Sequence, residues 1–152
     1  MSRSNLTAIA AGGFIAGTLD IGAAALINRL SPFVILQVVA RGVLGKASYS
    51  GGASSAALGM VLQWAMSLVI ASIFVFAATR VPILRRRWIV AGLGYGVVVF
   101  FVMNYVVMPL SIIGSSPHFS AAAFALNMSA MLLFGLIIAF FAQRLGAGPA
   151  DA

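Results

Sequence analysis

The stretch from Leu6 to Ile27, LTAIAAGGFIAGTLDIGAAALI, is 22 residues long and carries a single charge, that of Asp20. About 20 consecutive apolar residues in helical form cross the hydrocarbon core of a bilayer, so the stretch reads as a membrane span. Its short basic start and the run Ala23-Ala24-Ala25 imitate a cleaved leader with its small-residue cut site. The apolar character nevertheless resumes beyond Asp20 and runs through Ile27, further than a leader core needs. A carboxylate at that depth costs roughly 2.5 to 3.5 kcal/mol on insertion scales, so it is expected to face a partner or a wet cavity rather than lipid.

The rest of the chain agrees with the first span. Of its 152 residues 62% are hydrophobic and only 7% are charged, against about 25% charged in soluble domains. A soluble core cannot absorb so much apolar surface, whereas lipid solvates the outer faces of helices without penalty. Four spans are predicted, at about 6–28, 56–79, 88–108 and 120–142, each ending in loop chemistry such as Ser31-Pro32, Arg80 with Pro82, Pro109, or Arg144 with Gly146. The expected fold is an all-α membrane protein, a four-transmembrane-helix bundle forming one membrane domain over 1–145, with 146–152 as a disordered tail.

Nine Lys and Arg residues against two carboxylates give a net charge of +7. In a membrane chain such an excess belongs to loops and span ends, where it sets orientation and meets anionic headgroups, so no nucleic-acid partner is implied. Arg3, Arg80, Arg85, Arg86, Arg87 and Arg144 fall on one side of a four-span chain, and Arg29, Arg41 and Lys46 on the other. Six against three predicts a multi-pass protein with both termini in the cytoplasm, and the determinants of that topology are Arg80 and the cluster Arg85, Arg86 and Arg87. The chain has no cysteine, which excludes disulfides and thiolate-held metals or clusters.

The first outward loop is more than a connector. Ser31 supplies an N-cap, Pro32 a first-turn proline and Gly45 a stop, so about 32–44 should form a helix of about 20 Å, too short to cross. Gln37 and Arg41 lie four apart on one face of an otherwise apolar helix, which suggests an interfacial or re-entrant position. Residues 48–55, rich in Ser and Gly, read as a flexible connection.

Depth picks out the polar residues that matter. Counted from the outward ends of their spans, Asp20, Gln63, Asn104 and Asn127 all fall roughly 6 to 12 Å down, one strong hydrogen-bonding group per helix in one layer. Spacing by turns aligns Asp20 with Gly13, Gly17 and Ala24, and Gln63 with Gly59 and Ser67. Gly92 and Gly96 precede Asn104, and Ala123 and Ala130 flank Asn127. Small-residue stripes let helices approach closely, so these faces should point inward. Asn and Gln in membrane helices often serve only as interhelical hydrogen bonds worth about 0.6 kcal/mol, which is the structural reading of Gln63, Asn104 and Asn127. For Asp20 the functional reading is the stronger, because a carboxylate is dearer to retain in a bilayer. Arg41 is its best counterion if the short helix is re-entrant, with Arg29 and Lys46 nearer the surface; without a cation, Asp20 becomes a proton carrier.

His118 is the only histidine, and one imidazole with one carboxylate cannot supply the three or four ligands of a metal site. No phosphate-binding glycine loop and no Ser, His and acid triad occur, so neither catalytic residues, a metal nor a cofactor is expected. The expected function is an outward-facing polar site around Asp20, Arg41, Gln63, Asn104 and Asn127 that binds or transports a small polar solute, of unknown identity, or a proton. The alternative is a structural or accessory subunit of a membrane complex. The stripes permit a homo-oligomer, and the outer helix or the arginine loop offers a docking surface to a membrane-complex partner.

Several short motifs resemble a group of small bacterial inner-membrane proteins, the YagU-like family. They are Ala16-Gly17-Thr18-Leu19-Asp20; Ser31-Pro32 with Gly42-Val43-Leu44-Gly45; Gly51-Gly52 with Leu58-Gly59; and Met103-Asn104-Tyr105 with Pro109-Leu110-Ser111. The resemblance implies a four-helix protein of the bacterial inner membrane, and it brings no activity with it.

Overall fold

The computed structural model describes residues 3–114 and 117–146. Residues 147–152, most of the stretch expected to be a disordered tail, lie outside the described residues. Four helices are long and apolar enough to cross a membrane: Arg3–Asn28, Gly52–Arg80, Trp88–Leu110 and Ala121–Leu145. They are α1 (Arg3–Asn28), α3 (Gly52–Arg80), the third span beginning as α5 (Trp88–Val102), and α7 (Ala121–Leu145). A shorter helix, α2 (Pro32–Leu44), lies between the first two, and a single turn, α4 (Ile83–Arg86), joins α3 to α5. The chain thus has the fold of a polytopic, all-α membrane protein.

Local chemistry sets the ends. The Ser31 hydroxyl accepts from the Val34 amide at 3.3 Å and that of Ser120 from the Ala123 amide at 3.2 Å, each satisfying one of the free first-turn donors of its helix. Helix α1 closes with Arg29 in the left-handed region, φ 55°, so that the Leu30 amide reaches back to the Ala25 carbonyl at 3.0 Å. The third span ends at Leu110, one residue beyond Pro109. Its backbone widens over Met103–Val107 into a π-helical turn, in which the Met108 amide bonds to the Met103 carbonyl, and then resumes as α6 (Met108–Leu110). Proline clashes with the carbonyl one turn back, and the wider turn just before Pro109 is where such a residue is accommodated.

The spans form a ring in the order α3, α1, α7, third span, and the ring is incomplete. Helix α1 packs along both α3 and α7, and α7 packs along α5, but α3 and the third span do not run against each other. Glycine decides where backbones meet. A Cβ on Gly135 of α7 would run into the Gly92 carbonyl and the Gly96 amide of α5, and one on Gly96 into the Met131 carbonyl. On α1 a Cβ at Gly13 would fall 2.9 Å from Leu68 of α3, and one at Gly17 would collide with Ser67. Around these contacts Phe74, Val75, Val99, Phe134, Ile138 and Ala139 form the main buried core.

Helix α2 sits across the end of the bundle opposite the chain termini. Its Ile35, Leu36 and Ala40 are buried, and a Cβ on Gly59 would overlap the Leu36 carbonyl, so α2 lies directly on the α3 backbone. Gly59 therefore meets α2, while Gln63 and Ser67, one and two turns further along the same face, meet α1. The connection expected to be flexible over 48–55 is instead built. Gly45–Tyr49 forms a 3-10 turn, α3 starts at Gly52, and the Ser55 hydroxyl donates to the Ser48 carbonyl at 2.6 Å while lying 3.3 Å from the Gln37 amide nitrogen. The Ile112 amide adds a bond to the Gly42 carbonyl at 3.2 Å, tying the loop after the third span to the end of α2.

Candidate functional site

Where α3 and the third span part, a cavity of about 210 Å³ opens between all four spans. Asp20 of α1, Gln63 of α3, Asn104 of the third span and Asn127 of α7 all line it. The layer inferred from helix depth is thus brought to one space. The remaining wall is largely apolar and includes Phe100 and Phe134 with four methionines, Met66, Met103, Met108 and Met131.

Each polar group is held by its own helix or by one neighbour. The Gln63 amide nitrogen donates to Asp20 Oδ2 at 2.9 Å and lies 3.4 Å from the Gly17 carbonyl, reachable because Gly17 has no side chain to hold α3 away. From the adjoining residue of α3, the Trp64 indole donates to the Thr18 hydroxyl at 3.1 Å. The Asn104 amide nitrogen donates to the Phe100 carbonyl at 2.8 Å, and that of Asn127 to the Ala123 carbonyl at 2.8 Å, each within its own helix. Asn104 stands in the wide turn over Met103–Val107, a local geometry that recurs at functional positions in helices.

The cavity has a floor. The Tyr95 hydroxyl of α5 donates to the Ile70 carbonyl of α3 at 2.7 Å, and its ring meets that of Phe74 at 5.0 Å between centroids. This is the bridge across the otherwise open side of the ring, and Ile70 also lines the cavity. Nothing in its spacing marked Tyr95 for that role; the signal was only a tyrosine too deep for the aromatic belt.

Arg41 stands apart from the other four expected site residues. No residue of α2 lines the cavity, and among the described residues no Lys or Arg is within ion-pair distance of Asp20. The counterion expected for Asp20 is corrected accordingly. Helix α2 turns Ile35, Leu36, Gln37 and Ala40 inward at the bundle end, which leaves Arg41 half-buried beside its own last turn. Gln37, expected to share a polar face with Arg41, is buried and bonded to Ser55 and to the Gly52 carbonyl. His118 is exposed, and among the described residues no three of His, Cys, Asp and Glu gather where a metal ion could be held.

The basic residues at the opposite end do more than mark a side. Arg85 reaches the Gly146 carbonyl at 2.5 Å and the Gln143 carbonyl at 3.4 Å, capping the C-terminus of α7 where free carbonyls and the helix dipole favour a cation. Arg80 lies over the Phe76 ring at 4.7 Å, while Arg86 and Arg87 are exposed.

No protein-family model, curated protein or solved structure matches the chain. The site is therefore interpreted from its own chemistry. A carboxylate, three amides and a surround of thioethers and rings can hold a small ligand, exchange a proton or lock helices together.

Proposed function

We propose that the chain is a bacterial inner-membrane protein that binds a small polar solute or a proton at the cavity around Asp20, as a small transporter or a channel subunit. The single observation behind the reading is that Asp20 and three amides, one from each other span, line one cavity large enough for a small molecule. Helices that needed only to be locked would bring such groups into contact with each other. Here only Asp20 and Gln63 do so, while Asn104 and Asn127 bond to their own backbones. Six basic residues on the side of the termini against three on the other support cytoplasmic termini, and hence a site open toward the outer face. The reading assigns no catalytic chemistry.

The absence of native cysteine makes the test direct. Ala130 lines the cavity, and Ala130→Cys in oriented vesicles should react with a small membrane-impermeant methanethiosulfonate added from the outer face and stay unmodified from the cytoplasmic face. A thiol inert from both faces would overturn the reading.

A second reading, a structural or accessory subunit, is favoured by the Asp20–Gln63 bond, which joins α1 to α3. On that reading Asp20→Asn and Gln63→Ala lower stability, and Ala130→Cys is inert.

A further inference from the structure

Most of the polar atoms left free around the cavity are acceptors. The amide nitrogens of Gln63, Asn104 and Asn127 donate to Asp20, the Phe100 carbonyl and the Ala123 carbonyl, which leaves Asn104 and Asn127 one further N–H apiece. Their three amide oxygens, and Oδ1 of Asp20, accept no hydrogen bond among the described residues. Among the described residues no Lys, Arg or His lines the cavity, and the Ser67 hydroxyl is the only other polar side-chain group there. The lining thus presents one carboxylate with no cation beside it and four free acceptor oxygens, against two spare amide N–H groups and one hydroxyl, with thioether sulfurs as further weak acceptors.

Such a lining discriminates by charge and by shape. An anion would face a carboxylate and oxygens with no cation to hold it. A solute rich in acceptors would find only the spare N–H groups of Asn104 and Asn127 and the Ser67 hydroxyl, and each acceptor beyond these would go unsatisfied at about 1 to 3 kcal/mol. A bare hard metal ion requires six or more oxygens at close range, which a wall built mostly of Phe, Met, Val and Ile does not supply. A cation carrying apolar groups satisfies both parts, its charge against Asp20 and the amide oxygens, its body against Phe100, Phe134 and the methionines. At about 210 Å³ the cavity is smaller than drug-sized pockets of about 300 Å³ and upward but larger than the cavity of about 150 Å³ that holds a benzene ring, which sets the body at roughly six to ten carbon atoms or fewer.

We infer that the ligand of this site is a small organic ammonium ion, held by Asp20 against the acceptor layer and by the rings and thioethers around it. The inference rests on the reading of the cavity as a binding site, and it adds the sign of the charge and the class of the ligand.

The test compares two thiol reagents of similar size on Ala130→Cys, (trimethylammonium)ethyl methanethiosulfonate and its anionic sulfonatoethyl counterpart. Their rate ratio is normalised to that at the exposed position His118→Cys. The normalised ratio is expected to favour the cation by about tenfold, to fall to about one in Asp20→Asn and to persist in Asp20→Glu. Tetramethylammonium should slow the cationic reaction at Ala130→Cys and leave that at His118→Cys unchanged. Should either Asp20 variant fail to fold, the ratio and the competition in the Asp20 protein decide alone. Rapid reaction with both reagents at a normalised ratio of one, without competition, overturns the ammonium assignment while leaving an accessible site. Inertness to both overturns the site itself.

Discussion

Toward the chain termini the spans touch backbone to backbone, and toward α2 they separate around the cavity. In the first region Gly92 and Gly96 of α5 meet Gly135 of α7, and Gly12 and Gly13 of α1 meet Phe141 and Leu68. In the second, where α5 gives way to the wide turn at Met103–Val107, larger side chains and amides hold the third span off α3. Tyr95, bonded to the Ile70 carbonyl, marks the boundary. Lipid gives helices no hydrophobic reason to associate, so close approach of backbones has to supply the attraction. Half of the bundle provides that contact, and it leaves the other half able to keep a polar space open.

The contrast is open to test by substitution. The largest effect is expected at Gly135→Val, whose side chain would enter the α5 backbone at Gly92 and Gly96; a loss of about 3 kcal/mol, or failure to accumulate in the membrane, should appear in unfolding titrations. A cost near zero there would mean that the two halves are not packed differently. Next comes Tyr95→Phe, which removes one interhelical hydrogen bond and should cost about 1 kcal/mol, and which should also speed modification of Ala130→Cys by loosening the floor. Ala130→Leu adds carbon atoms where there is room for them, so thermal unfolding should show no loss and a gain of up to about 1 kcal/mol. If Ala130→Leu were as damaging as Gly135→Val, the cavity half would be as tight as the glycine half. Smallest of all is the stability change for Asp20→Asn, within about 1 kcal/mol, because an amide oxygen can still accept from Gln63.

Much of the site was legible because depth and helical phase are arithmetic properties of a span. One rise per residue put Asp20, Gln63, Asn104 and Asn127 at a common level, and the structure brings those four to a common cavity. Arg41 could not be handled that way. It lies on a helix that does not cross, so its level depends on how α2 docks, which the contact between Leu36 and Gly59 governs. The partner of Gly59 was hidden for the same reason, since it comes from outside the four spans. The Ser48 to Ser55 segment looked loose because Ser and Gly favour turns in general, yet the Ser55 hydroxyl bonds to the Ser48 carbonyl and to Gln37, which also reaches the Gly52 carbonyl.

The sequence by itself determined the class of the protein and the number of its spans, because apolar length and the scarcity of charge are constraints each segment meets alone. It also determined which polar groups share a level. Which helices are neighbours, where the ring stays open and what Asp20 touches were decided only in the tertiary structure. Those features depend on which glycine meets which backbone, and pairing between distant segments is not written in the periodicity of any one of them.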